Sequence, residues 1–362
     1  MLLSITFILF LFTLSLLAKL RANGLVYGLD FGLFHPDGSL YTFRTLTWLG
    51  YTQDEAGIKV SEWYANHAVK ANQIDPQSLH FEISPHWEIY QLRLLYPALS
   101  MPFVFLMGIP GMLVIPSLSM LTLLISTYFI ARNLGSPSLG IFFAAFFSFS
   151  LTINRWMYIN TADSLLVALT CLAVLIIMRD RLTTKLFLCL IFLVILASLT
   201  RFSLFIWIAV GLFLAIKKHY AKAIIMTAVA FVSFLPHLLV DYAPAVLASQ
   251  SQLSLPEKVL QFPYSLIRVG FYEVAQLAVL DRFLLGFILI AILFAAFNHI
   301  SDSARLFFVV LASLWLTGAI NGVIGVNFRY QLPILPFAVW VLVEHRDRLS
   351  QGFSKSRLPK LR

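Results

Sequence analysis

The sequence predicts an all-α fold, a polytopic transmembrane helical bundle of about ten spans with interfacial helices in a long first outer loop. Three observations predict it. Hydrophobic residues make up 60% of the chain and charged residues 12%, against roughly 45–50% and roughly 25% in soluble domains. Mean hydropathy is +0.86. Uncharged apolar runs recur along the chain, several long enough for the roughly 20 residues that cross a hydrocarbon layer of about 30 Å. A soluble protein of 362 residues buries a large core, but it could not hide this share of apolar surface.

The apolar spans fall at 2–18, 110–131, 138–153, 163–178, 186–199, 202–216, 223–240, 283–297, 306–320 and 332–343. LLYPALSMPFVFLMG (94–108) is also apolar, but it is short and rich in proline. It suits a half-buried interfacial helix better than a crossing. An even number of spans puts both termini on one side, and Lys and Arg choose that side. Arg132, Arg179, Arg181, Lys185, Lys217, Lys218, Lys222 and Arg305 crowd the short loops of one face. The end of the chain, RDRLSQGFSKSRLPKLR, adds six basic residues against one acid. Residues 1–345 therefore read as one transmembrane domain and 346–362 as a basic cytoplasmic tail in a plasma-membrane protein. Lys19 and Arg21 disagree, because they follow the first span on its outer end. A cleaved leader fits poorly, since no basic residue precedes the first apolar run.

The net charge of +9 is scattered or sits at span ends, which speaks for membrane lipids as partners and against nucleic acid. Cys171 and Cys189 lie inside apolar runs and read as small core residues.

The first outer loop, about 19–93, opens with GLDFGLFHPDGSLYTFR (28–44). In HPDG, Pro36 fixes the backbone and Gly38 permits a sharp turn, so Asp37 is held at a membrane surface without a helix. A carboxylate there could act as general base towards a hydroxyl, or simply accept hydrogen bonds within its own turn. Asp30 in GLDFG carries the same two readings more weakly. His35 lacks metal-ligand spacing and reads as support for the turn. Further on, Thr52, Asp54 and Glu55 form an acidic start that resembles a helix cap. A second outer loop, about 241–282, contains the amphipathic LPEKVLQFPYSLIRVGFYEVAQL.

Asp163 stands at the outer end of a span, where capping and the helix dipole favour an acid but the membrane edge makes one costly. Arg155 lies on the same side. Arg201 sits in a tight outer hairpin, where it could snorkel to lipid phosphates or grip a substrate phosphate with paired hydrogen bonds. Arg329, in NFRYQLPILP, precedes the last span. Acids and arginines distant in the chain thus gather on one face. No Walker loop, dinucleotide fingerprint, HExxH, cysteine cluster or GxSxG element is present.

In layout and in the order of its short motifs the chain resembles the GT-C superfamily of membrane glycosyltransferases, which use polyprenyl-phosphate sugars. HPDG (35–38) resembles the family's acidic element in the first outer loop. RLLYP (93–97), which carries Arg93, resembles its lead into the following helices. NTADSLLVALTCLAVLIIMRD resembles the Thr-Asp that opens its fourth span, LTRFS (199–203) its basic hairpin, and NFRYQLPILP its late Arg-Tyr entry to a span. The match covers roughly residues 1–215 well and the rest loosely. The resemblance implies inverting transfer with Asp37 as general base, Asp30 beside it, and Arg201 as a ligand of the donor phosphate. Arg329, Asp163, His35, Arg93 and Arg155 are further substrate-binding candidates. It implies a polyprenyl-phosphate-linked sugar as donor and a glycan, lipid or protein hydroxyl as acceptor on the extracytoplasmic face. A glycine follows Asp37 where the family has a second acid, which leaves a divalent cation open. Two other readings stand beside it. A lipid-linked substrate transporter or an inactive assembly partner is one, although acids are scarce in mid-span. Membrane acyl transfer through His35 or His237 is the other.

Overall fold

The computed structural model describes residues 1–22, 25–26, 29–30, 37–67, 91–179, 181–239, 255–297, 301–321 and 328–355. Among the described residues the architecture is helical, apart from a two-residue antiparallel ladder that pairs Leu25 with Asp30 and Val26 with Leu29. His35 lies outside the described residues, and Asp30 and Asp37 are described in their backbones alone.

The helices, in chain order, are α1 (Leu2–Ala22), α2 (Asp37–Trp48), α3 (Gln53–His67), α4 (Leu95–Met107), α5 (Val114–Asn133), α6 (Pro137–Phe149), α7 (Leu151–Met157), α8 (Asp163–Ile177) and α9 (Thr184–Ser198). They continue with α10 (Leu204–Ile216), α11 (Tyr220–Leu239), α12 (Leu255–Leu280), α13 (Arg282–Phe297), α14 (Asp302–Asn321) and α15 (Leu335–Lys355). Short 3₁₀ turns, Ile109–Leu113 and Leu332–Ile334, lead into α5 and α15.

Each of the ten apolar runs coincides with helix. Among the described residues three stretches are long and apolar enough to cross a membrane: Leu2–Lys19, Ile109–Asn133 and Tyr220–His237. Leu95–Met107, Asp163–Ile177, Thr184–Ser198, Leu204–Ile216 and Arg282–Phe297 are apolar but shorter. Large apolar side chains stay exposed along these helices, Phe10, Phe192, Val232 and Phe283 among them, as expected of surface that faces hydrocarbon rather than water.

Two expectations change, at HPDG and at the run 138–153. HPDG does not hold Asp37 in an isolated turn, because Asp37 is the first residue of α2. A proline immediately before a helix and an acid at its start both suit the helix N-terminus, where N–H groups are spare and the dipole is positive. The run 138–153 is not one continuous span: α6 and α7 meet at a 74° bend, so the pair makes a fourth crossing only as a broken helix. Ser150 at the bend is extended, and its hydroxyl both accepts the Ile153 N–H and bonds to Asp281 Oδ2 at 2.6 Å. The outer loop expected at 241–282 contains the 26-residue α12. The last helix, α15, ends at Lys355, within the basic end of the chain.

The start of α3 follows the sequence closely. Glu55 accepts the N–H and hydroxyl of Thr52, both at 2.9 Å, and Thr52 Oγ1 accepts the Glu55 N–H at 3.3 Å. This is a reciprocal capping box.

Candidate functional site: a buried arginine cluster around Asp163

Three junctions between helices build the cluster. Residues 158–162 connect α7 to α8 and end at Asp163, the first residue of α8. Residues 199–203 connect α9 to α10 and carry Arg201. The turn 328–331 precedes α15 and carries Arg329. Asp163 Oδ1 pairs with Arg201 Nη1, and Asp163 Oδ2 accepts from Arg329 Nε at 2.8 Å. All three side chains are buried. The Arg201 guanidinium also lies 4.0 Å from the centre of the Tyr330 ring, and that of Arg329 lies 4.9 Å from the Trp156 ring. Aromatic faces and one shared carboxylate thus carry the cost of burying two guanidiniums. Burial lowers Arg201 to about 10, with the Tyr330 phenol opposing it; the group stays charged at neutral pH. Arg201 therefore does not snorkel to the surface.

Arg93 belongs to the same neighbourhood, since its charge acts on Arg201. The Leu95 N–H donates to the Leu199 carbonyl at 2.9 Å, which fastens RLLYP to LTRFS. Arg93 Nη1 donates to Tyr41 Oη on α2 at 3.0 Å, and the Tyr41 ring meets Tyr96 edge-on.

The N-terminus of α2 is set against the loop that leads to Asp163. Gly38 packs so tightly on the Asn160 side chain that a Cβ at position 38 would overlap it. Asn160 Nδ2 donates to Tyr64 Oη, which pairs with Thr42 Oγ1 at 3.1 Å. The glycine of HPDG is thus a close-approach residue. It seats the start of α2 against Asn160, three positions before Asp163 in the chain. Arg155, on α7, faces the Trp156 ring at 5.4 Å. Asp163, Arg201, Arg329, Arg93 and the start of α2 are therefore brought together. The backbone of Asp30 pairs with Leu25 in the small ladder.

Sequence reasoning missed three contributors. Glu273, buried on α12, accepts the backbone N–H of Phe328. Phe328 has φ +63°, a left-handed conformation that is uncommon for a bulky residue. The signal was a lone acid in an otherwise apolar stretch of helix. Tyr41 and Tyr330 lay inside quoted motifs but carried no periodic signal. His237, weighed in the sequence for acyl transfer, donates Nε2–H to the Ser198 carbonyl at 2.7 Å, which ties it to the end of α9.

A narrow cleft opens onto Asp163, Arg201, Tyr330 and Arg329, with Leu166, Ile206 and Leu314 as apolar walls. A wider groove of about 620 Å³ lies between α2, α3 and α4, lined by Leu46, Tyr51, Lys59, Glu62, Trp63 and Phe105. It begins nine residues along α2 from Asp37, about 13 Å at 1.5 Å per residue. Among the described residues no three His, Cys, Asp or Glu side chains are placed to hold a metal ion. Asp163 is already engaged by two arginines, so the described donors do not fit a divalent cation. Comparison with models of protein families and with curated proteins finds no match to this chain.

Proposed function

We propose that the chain is a multi-span membrane glycosyltransferase of GT-C type. In this reading the ten apolar runs are ten crossings, with the arginine cluster at the extracytoplasmic face. One observation carries it: Asp163 unites Arg201 and Arg329 from two separate helix junctions, beside the loop on which the N-terminus of α2 is seated. In this reading Asp37, at the start of α2, supplies the base and the two guanidiniums the anion-binding wall. The Asp37 carboxylate takes the proton of an acceptor hydroxyl, and the hydroxyl oxygen forms the new bond to the anomeric carbon of the donor. The bond from that carbon to the polyprenyl phosphate breaks, and the departing phosphate takes the electron pair. Guanidinium N–H groups of Arg201 and Arg329 stabilise that charge. Asp163 is a positioning residue that fixes both guanidiniums, which lowers the reorganisation the reaction must supply.

The test uses purified protein in liposomes supplied with a polyprenyl-phosphate sugar and candidate hydroxyl acceptors. Asp37→Asn should abolish transfer while thermal unfolding stays within a few degrees of wild type. Full transfer by that variant overturns the assignment. Movement of the labelled donor across the bilayer without transfer favours the transporter.

A further inference from the structure

The helices that follow Asp163 and Arg201 come together again at their far ends. α8 is 15 residues long, which is about 22 Å at 1.5 Å per residue. Its C-terminal end and that of α10 border a cavity of about 170 Å³. Ile177, Phe213 and Trp340 are buried and form its apolar floor. Arg179, Lys217 and His219 are exposed and form its rim. Lys217 pairs with Asp302 at the start of α14. Lys222 donates to the carbonyl of Leu182, which also lines the cavity. Among the described residues no carboxylate pairs with Arg179 or Lys222, and the side chains of Arg179 and His219 have no hydrogen-bond partner. Asp180 lies outside the described residues.

Cations at helix C-termini are ordinary, because the dipole favours them. Two features go beyond that. These cations border one cavity with an apolar floor instead of spreading into solvent. The chain also leaves α10 through Lys218 at φ +62°. There the His219 N–H donates to the Leu214 carbonyl and the Lys218 N–H to the Ala215 carbonyl, both at 2.9 Å. Glycine normally takes that left-handed place, and a lysine holds it only under strain. The turn sets His219 on the rim. A guanidinium fork, ammonium groups and an imidazole N–H together suit the several acceptor oxygens of a phosphate. The apolar floor suits the part of a lipid that lies beneath its phosphate, as in basic pockets between membrane helices.

We propose that this cavity is a second anion site, which takes a phosphate group between the C-terminal ends of α8 and α10. The phosphate comes from an anionic phospholipid or from free inorganic phosphate. The site stands independently of the transferase reading, since it uses none of the residues placed in that reaction.

The experiment follows thermal unfolding of the full chain in a neutral detergent, titrated with dihexanoyl phosphatidylglycerol, inorganic phosphate or, as zwitterionic control, dihexanoyl phosphatidylcholine. Wild type should gain a saturable rise in Tm with phosphatidylglycerol and a far weaker one with phosphatidylcholine. Arg179→Gln should weaken the apparent affinity at least tenfold. Arg181→Gln removes the same charge two residues on, outside the cavity lining, and should leave the affinity unchanged. A rise with phosphatidylglycerol alone identifies a lipid source, and a rise with inorganic phosphate as well identifies the phosphate group itself. The proposal is overturned if neither ligand moves the wild-type Tm, or if phosphatidylcholine matches phosphatidylglycerol. It is also overturned if Arg179→Gln keeps the wild-type response. Equal weakening by Arg179→Gln and Arg181→Gln overturns it too, since that assigns the response to the general positive charge of this end of the bundle. Loss of fold in both Arg179→Gln and Arg179→Lys does the same, because the guanidinium is then a structural group.

Discussion

Glu273 on α12 accepts the backbone N–H of Phe328, the residue immediately before Arg329. Phe328 is held at φ +63°, a conformation that persists only when its surroundings impose it. Glu273 therefore positions the Arg329 guanidinium without touching it. If the chain is the glycosyltransferase proposed above, Glu273→Leu should lower the rate of sugar transfer by about a hundredfold, the scale of a misplaced catalytic group. Glu273→Gln keeps an acceptor oxygen and should restore most of it. Transfer rates and the KM for the donor check this; equal loss in both variants refutes a positioning role.

Gly38 and Asn160 are in contact with no space for a methyl group. Gly38→Ala should destabilise the protein by about 1–3 kcal/mol, the usual range for overpacking. The double variant Gly38→Ala/Asn160→Ala should recover part of that loss in denaturant unfolding, because the clash is removed. Additive losses would place the effect elsewhere.

Asp163→Asn removes the charge that neutralises two buried guanidiniums. Breaking a buried pair from one side costs about 3–5 kcal/mol. The Tm should fall well below wild type, and the fall should shrink when Arg201→Met is added, since one orphaned charge then goes with it. A larger fall in the double variant would contradict the pairing.

Asp281 collects the Ser150 hydroxyl at 2.6 Å, the Thr152 N–H at 3.1 Å and the Leu284 N–H at 3.0 Å. It caps α13 and closes the bend between α6 and α7 together. Asp281→Ala leaves these donors buried and should cost about 1–3 kcal/mol, measured as a shift in the urea midpoint. Asp281→Asn should cost less, because its amide oxygen still accepts.

The backbone N–H and hydroxyl of Thr52 hold the Glu55 carboxyl below its ordinary value of 4.5. A depressed folded value means the cap is intact above the ordinary value and is lost as pH falls through the depressed one. Amide protection in the first turn of α3 should therefore drop in acid below that value. The same amides in Glu55→Gln should show no such step.

The helices were legible because apolar runs report burial directly: 110–131 and 163–178 match α5 and α8 to within a few residues. The capping box at Thr52 was legible too, being local by construction. The bend at Ser150 was not, because its cause is Asp281, 131 residues away. Asp163, Arg201 and Arg329 were each legible as misplaced charges at span ends. Their meeting was not, since it depends on how α8, α10 and α15 pack. Glu273 was missed altogether, because its partner, the Phe328 N–H, is 55 residues away in the chain.

The Gly38–Asn160 contact also sets a condition on inheritance. A chain that keeps the amide at 160 must keep glycine at 38, and one that gains a side chain at 38 must first shorten residue 160. The two positions should change together or not at all. In descendants whose apolar helices have drifted beyond recognition, that coupled pair would still mark the same arrangement.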